Sequence, residues 1–205
     1  MAGRSNAATE LVRLWLEARH GCLLTESVPV AVPYSQSDLD LVAVQATLSP
    51  FALPSGLAIG PRVVVECKDH HDWEPAGREF GKLLKADEAM MGASKFVARS
   101  AVRAVTFSML REAHFEIARR LFDSDDFDRL FVVHAIDQAT LAEVGGFLAA
   151  LRIHSTTIPL VVDDLRAWYG AHPRPSGLRH TLVGDLWHLL VGFCGMDIPN
   201  TSTPP

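Results

Sequence analysis

The stretch Arg62-Val63-Val64-Val65-Glu66-Cys67-Lys68 decides how the chain is read. Three β-branched residues in a row predict a buried strand with no polar face. Glu66 and Lys68 lie within or at the end of it, two residues apart, so both side chains point the same way and that of Cys67 points the other. Taking a carboxylate and an ammonium out of water costs several kcal/mol unless they pair or bind something. Upstream runs a second apolar strand with acids at its mouth, Ser37-Asp38-Leu39-Asp40-Leu41-Val42-Ala43-Val44. Acids ending two buried strands are the part of this sequence that can carry chemistry.

The whole chain sets the bounds. Its 205 residues suit one domain, spanning 1–205, that buries about 70% of its extended-chain surface. A composition of 48% hydrophobic and 21% charged residues is that of an ordinary globular protein, and no apolar run reaches the roughly 18 residues that span a membrane. Residues 1–6 are short and polar and lack a signal-peptide core, which points to the cytoplasm. The three cysteines, Cys22, Cys67 and Cys194, are an odd number without zinc-type spacing, consistent with free thiols in a reducing compartment. A net charge of −5 argues against a nucleic-acid binder, although local clustering could still build a basic face.

Around the two strands the chain reads as alternating elements. Thr9 is a candidate cap for a first helix over residues 10–20, closed by Gly21, with Leu11, Leu14, Trp15 and Ala18 as its buried stripe. Residues 22–32 read as extended, 35–37 as a turn and 39–47 as the second strand. A Pro/Ser/Gly-rich loop over 48–61 returns the chain to the Val63 strand as a hairpin or a neighbouring pair. A polar loop with His70 and His71 follows, then a helix over 75–91 carrying Arg78, Lys82 and Lys85. Further elements are a strand over 95–98, a helix over 109–122, the acidic turn Asp123-Ser124-Asp125-Asp126 and a strand over 130–135. Beyond these come a helix over 139–152, a strand over 158–162, a short helix from Asp163 to Tyr169, and a last helix over 178–193. Strands alternating with helices indicate an α/β layer architecture.

As chemistry, Asp40 and Glu66 at adjacent strand ends could converge on one hard divalent cation such as Mg²⁺. Such an ion polarises a phosphate and makes a nucleophile of a bound water. Lys68, on the Glu66 side, could orient that water or neutralise developing charge. Glu10 becomes a third acid if the first helix packs across the strand ends, with Glu17 seven residues on as its competitor.

These residues resemble the signature of the PD-(D/E)XK nuclease superfamily. Asp40 before Leu41-Val42-Ala43-Val44 looks like its metal-binding aspartate, and Glu66-Cys67-Lys68 after three valines looks like its E-x-K run. The segment from Glu10 to Gly21, with Ser35 and Ser37 ahead of the aspartate, is similar to archaeal Holliday-junction resolvases and Mrr-like restriction enzymes. The resemblance covers residues 9–135 and leaves 136–205 as a helical extension without a counterpart. It implies a mixed central sheet flanked by helices, a restriction-endonuclease-like core. It also implies Mg²⁺- or Mn²⁺-dependent phosphodiester hydrolysis, DNA being favoured, with Asp40, Glu66, Lys68 and Glu10 catalytic and Asp40, Glu66 and Glu10 on the metal. A homodimer, or a partner protein docked on the extension, is a further implication. The chain has Ser37-Asp38-Leu39-Asp40 where the family has Pro-Asp, so Asp38 competes with Asp40; apolar strand residues follow Asp40 directly.

Simpler readings exist for each residue. Glu66 and Lys68 can form a solvated ion pair worth at most ~1 kcal/mol. Asp38 suits a turn, and Glu10 suits the first turn of a helix through the dipole alone. His70 and His71 are adjacent on a loop and poorly disposed to share one ion. Lys82 and Lys85 suit a solvated helix face, and Trp187 and His188 suit a core or an interface.

Overall fold

The computed structural model describes residues 7–32, 35–68, 112–133, 153–171 and 184–186. Seven strands are described: β1 (Cys22–Val32), β2 (Ser35–Gln45), β3 (Phe51–Ala52), β4 (Ala58–Ile59), β5 (Arg62–Lys68), β6 (Asp128–Val133) and β7 (Ile153–Thr157). The helices that pack on them are α1 (Ala7–Leu14), extended by a π-helical turn Trp15–Arg19, α2 (Glu112–Phe122) and α3 (Ile158–Ala171). Five strands form one sheet in the order β1-β2-β5-β6-β7, and β3 with β4 makes a separate small hairpin. The β1–β2 and β2–β5 pairs are antiparallel, whereas β5–β6 and β6–β7 are parallel, so the sheet is mixed. Among the described residues no helix is long and apolar enough to cross a membrane.

Sheet alternation divides the core between two layers of helix. Val63, Val65 and Cys67 of β5, with Leu130 and Val132 of β6, pack on one face against Val12, Trp15 and Leu16 and against Val161 and Leu165 of α3. Val64 and Val42 lie on the other face with Ala118 and Phe122 of α2. Parallel strands covered on both faces need apolar residues at successive positions, which explains the three valines. The π turn narrows the angle between neighbouring side chains, and Trp15 and Leu16 are both fully buried there. Gly21, at φ +65, ends this helix in the left-handed conformation that glycine adopts without penalty, its N–H donating to the Glu17 carbonyl at 3.1 Å.

Several boundaries differ from the sequence reading. Helix α1 starts at Ala7, so Thr9 lies inside the first turn, buried, and is not a cap. Residues 35–37 belong to β2, because pairing with Val30–Val32 supplies the backbone partners that a turn would have lacked. The strand expected over 158–162 lies one element earlier, at Ile153–Thr157, and Ile158 opens a 14-residue helix. Pro159, in its first turn, loses no helical hydrogen bond there. The expected helices over 75–91 and 139–152 and the strand over 95–98 lie outside the described residues, as does all of the last helix except 184–186.

Candidate functional site

Strands β2 and β5 pair from Val44↔Arg62 to Leu41↔Val65, and the next position in that register faces Asp40 with Glu66. Pairing ends there, and a side chain replaces the ladder: the Cys67 N–H donates to Asp40 Oδ2 at 2.7 Å. A buried N–H that loses its strand partner must find another acceptor, and a carboxylate is a strong one. Glu66 is only 4% exposed and lies beside Phe131 in the parallel β5–β6 register. By alternation it follows Val64 onto the α2 face, while Cys67 joins the α1 core, as the sequence spacing requires.

The strand β1 neighbour of Asp40 is Ser27, which sits between the pairs Glu26↔Leu41 and Val28↔Leu39. Ser27 has φ +50, a left-handed conformation costing an L-residue on the order of 1 kcal/mol. At this position the two strands exchange faces. Cys22, Leu24, Leu41 and Ala43 pack in the α1–α3 core, whereas Val28, Val30 and Leu39 pack in the α2 core.

Of the two competing aspartates, Asp40 is therefore the one joined to β5, while Asp38 pairs with Pro29 beyond the end of that ladder. Glu10 lies half-buried in the first turn of α1, whose apolar side covers the face carrying Val63, Val65 and Cys67. Glu17 makes a 3.2 Å ion pair with Arg13, which also reaches Glu26 at 3.2 Å. Lys68 ends β5, in register with Val133. The side chain of Lys68 and residues His70, His71, Lys82, Lys85, Trp187, His188 and Cys194 lie outside the described residues.

Among the described residues no three His, Cys, Asp or Glu side chains are gathered closely enough to hold a metal ion, so Glu10 does not join Asp40 and Glu66 in such a group. Two carboxylates from neighbouring strands still suit Mg²⁺ or Mn²⁺, because Mg²⁺ keeps several waters and commonly takes one or two protein carboxylates.

Two polar clusters were not foreseen. Asp164 of α3 accepts a 2.8 Å hydrogen bond from Trp15 Nε1–H, with Arg19 Nε at 3.4 Å and His20 Nε2 at 4.0 Å. Asp128, at the start of β6, accepts a 2.6 Å bond from the Gly60 N–H and faces His154 Nε2 at 3.7 Å. Their members are 149 and 68 residues apart for the two direct bonds, a separation that leaves no local signal. The chain matches no protein-family model, no curated protein and no solved structure.

Proposed function

We propose that the chain is a metal-dependent nuclease that hydrolyses phosphodiester bonds, with DNA as the favoured substrate, built on a restriction-endonuclease-like core. The observation that carries this reading is the bond from the Cys67 N–H to Asp40 Oδ2, which ties the aspartate of one strand to the Glu66-Cys67-Lys68 run of the next. The element order supports it as well: a helix with an acidic first turn, a strand carrying Asp40 and an adjacent strand ending in Glu-x-Lys. In this reading Asp40 and Glu66 hold the cation. When bound, the ion supplies Lewis-acid polarisation of a phosphoryl oxygen and a water of lowered pKa. Lys68 orients the attacking water or neutralises charge developing on the phosphate. Glu10, on the helix that covers the face opposite Glu66, takes no part in holding the cation, and Glu10→Ala should leave Mn²⁺ binding unchanged.

A net charge of −5 favours a second reading, a catalytically inactive member of the same fold serving as a binding or assembly subunit. It also fits a homodimer or a partner protein that brings the basic surface. Cleavage of DNA with Mg²⁺ or Mn²⁺ separates the readings: activity lost in Asp40→Ala and Lys68→Ala supports the nuclease, and undiminished cutting by both variants overturns it. Calorimetric titration with Mn²⁺ adds a binding readout. Binding that vanishes in Glu66→Ala supports the metal site, and no binding by the wild type supports the inactive subunit.

A further inference from the structure

We propose that Ser27 is the positioning residue of the Asp40 carboxylate, its left-handed backbone rolling the β1–β2 ladder over at the register position where Asp40 meets β5. The register is unbroken across Ser27, because Glu26↔Leu41 and Val28↔Leu39 follow one count, so no extra residue is inserted as in a bulge. A regular strand keeps residues i and i+2 on one face. Here Leu41 belongs to the α1–α3 core and Leu39 to the α2 core, and Leu24 and Val28 divide in the same way. Within the described residues of β1 and β2, Ser27 alone has a positive φ. The consequence reaches β5: its pairing with β2 stops at Leu41↔Val65, and the Cys67 N–H takes Asp40 Oδ2 as acceptor. The roll-over thus sets where the carboxylate lies. Its effect on metal affinity rests on the nuclease reading; the geometric effect does not.

Three variants test the proposal in the full chain. Ser27→Gly keeps the left-handed backbone accessible, Ser27→Val places a β-branched residue where it is strongly disfavoured, and Thr25→Val on the same strand is a control. Hydrogen exchange of the Cys67 amide is followed by NMR, alongside urea midpoints and Mn²⁺ calorimetry. The Cys67 amide should exchange roughly tenfold faster in Ser27→Val, as for the loss of one hydrogen bond, and remain protected in Ser27→Gly and Thr25→Val. Mn²⁺ affinity should fall in Ser27→Val beyond what the midpoint shift explains. Unchanged Cys67 protection in Ser27→Val, or equal loss in Thr25→Val, overturns the proposal. Should Ser27→Val fail to fold, Ser27→Ala against Ser27→Gly carries the test. Faster exchange in Ala alone supports a backbone role; loss in both assigns the effect to the hydroxyl and loss in neither removes it, and either result overturns the proposal. If the wild type binds no Mn²⁺, the nuclease reading fails while the Cys67 amide still decides the positioning.

Discussion

His20 should make the protein lose stability in mild acid. Its side chain is 5% exposed, edge-on to Trp15 at 4.7 Å between ring centroids and tilted against Phe51 at 4.6 Å. Nε2 is buried without a hydrogen-bond partner among the described residues, and Asp164 Oδ2 stands 4.0 Å away. Burial, and then the neighbouring Arg19 charge, hold the imidazole down to about 4, from 6.5; Asp164 opposes this only in part. A lowered folded-state pKa means that the unfolded chain binds the proton first. The stability is therefore full above the unfolded value of about 6.5 and is lost as pH falls through the window toward 4. Integrating between those two values gives a loss of about 2 kcal/mol from pH 7 to pH 5. Urea denaturation at the two pH values measures it, with His20→Phe as the comparison, since that variant keeps the aromatic packing and removes the proton site. The variant should lose about 2 kcal/mol less than the wild type over the same interval. Equal losses in the two proteins would refute the burial argument.

Other consequences follow from burial and from the two unforeseen clusters. Leu41→Ala, at a fully buried position beside the site, should cost about 2–5 kcal/mol in chemical denaturation, with the spread set by how far the cavity collapses. Asp128→Ala removes the acceptor of the Gly60 N–H and the carboxylate facing His154, and should cost about 1–3 kcal/mol and speed exchange of the Gly60 amide. The Cys22 thiol, pushed up to about 12 by burial, should stay unreactive toward a disulfide reagent at pH 8 in the native protein and react on unfolding; rapid native-state labelling lost in Cys22→Ser would contradict this.

The strands around the candidate site were legible because their signals are local. Cys22–Val32 and Arg62–Lys68 have the bounds that β-branched runs and flanking Gly and Pro residues indicate. The adjacency of β2 and β5 likewise follows from a connecting loop rich in turn residues, which left a hairpin or a neighbouring pair; the register makes the pair antiparallel. The β7–α3 boundary was misplaced because Ile158, Leu160, Val161 and Val162 suit a strand by composition, and helix packing against the sheet overrode that propensity. The apolar run directly after Asp40 favours it over Asp38 in sequence, and the register and the Cys67 N–H bond join Asp40 to β5.

By itself, the sequence determined that two apolar strands carry acids, that Glu66 and Cys67 take opposite faces, and that the architecture is layered α/β. Those properties depend on residue type and on a period of two, which travel with the chain. Asp40, expected at a strand start, lies in the middle of Ser35–Gln45. The tertiary structure decided which aspartate meets β5 and where the ladder rolls over. In sequence, Leu39, Leu41 and Ala43 alternate without interruption, and Cys22, Leu24, Val28 and Val30 share one parity on either side of Glu26. Yet both series are split between two cores, because one left-handed serine reverses the faces. A hydrophobic pattern specifies a face only when the opposite face is polar. Around Ser27 the intervening residues Thr25, Asp38 and Asp40 are polar, so the pattern alone would keep one face, and the left-handed backbone overrides it.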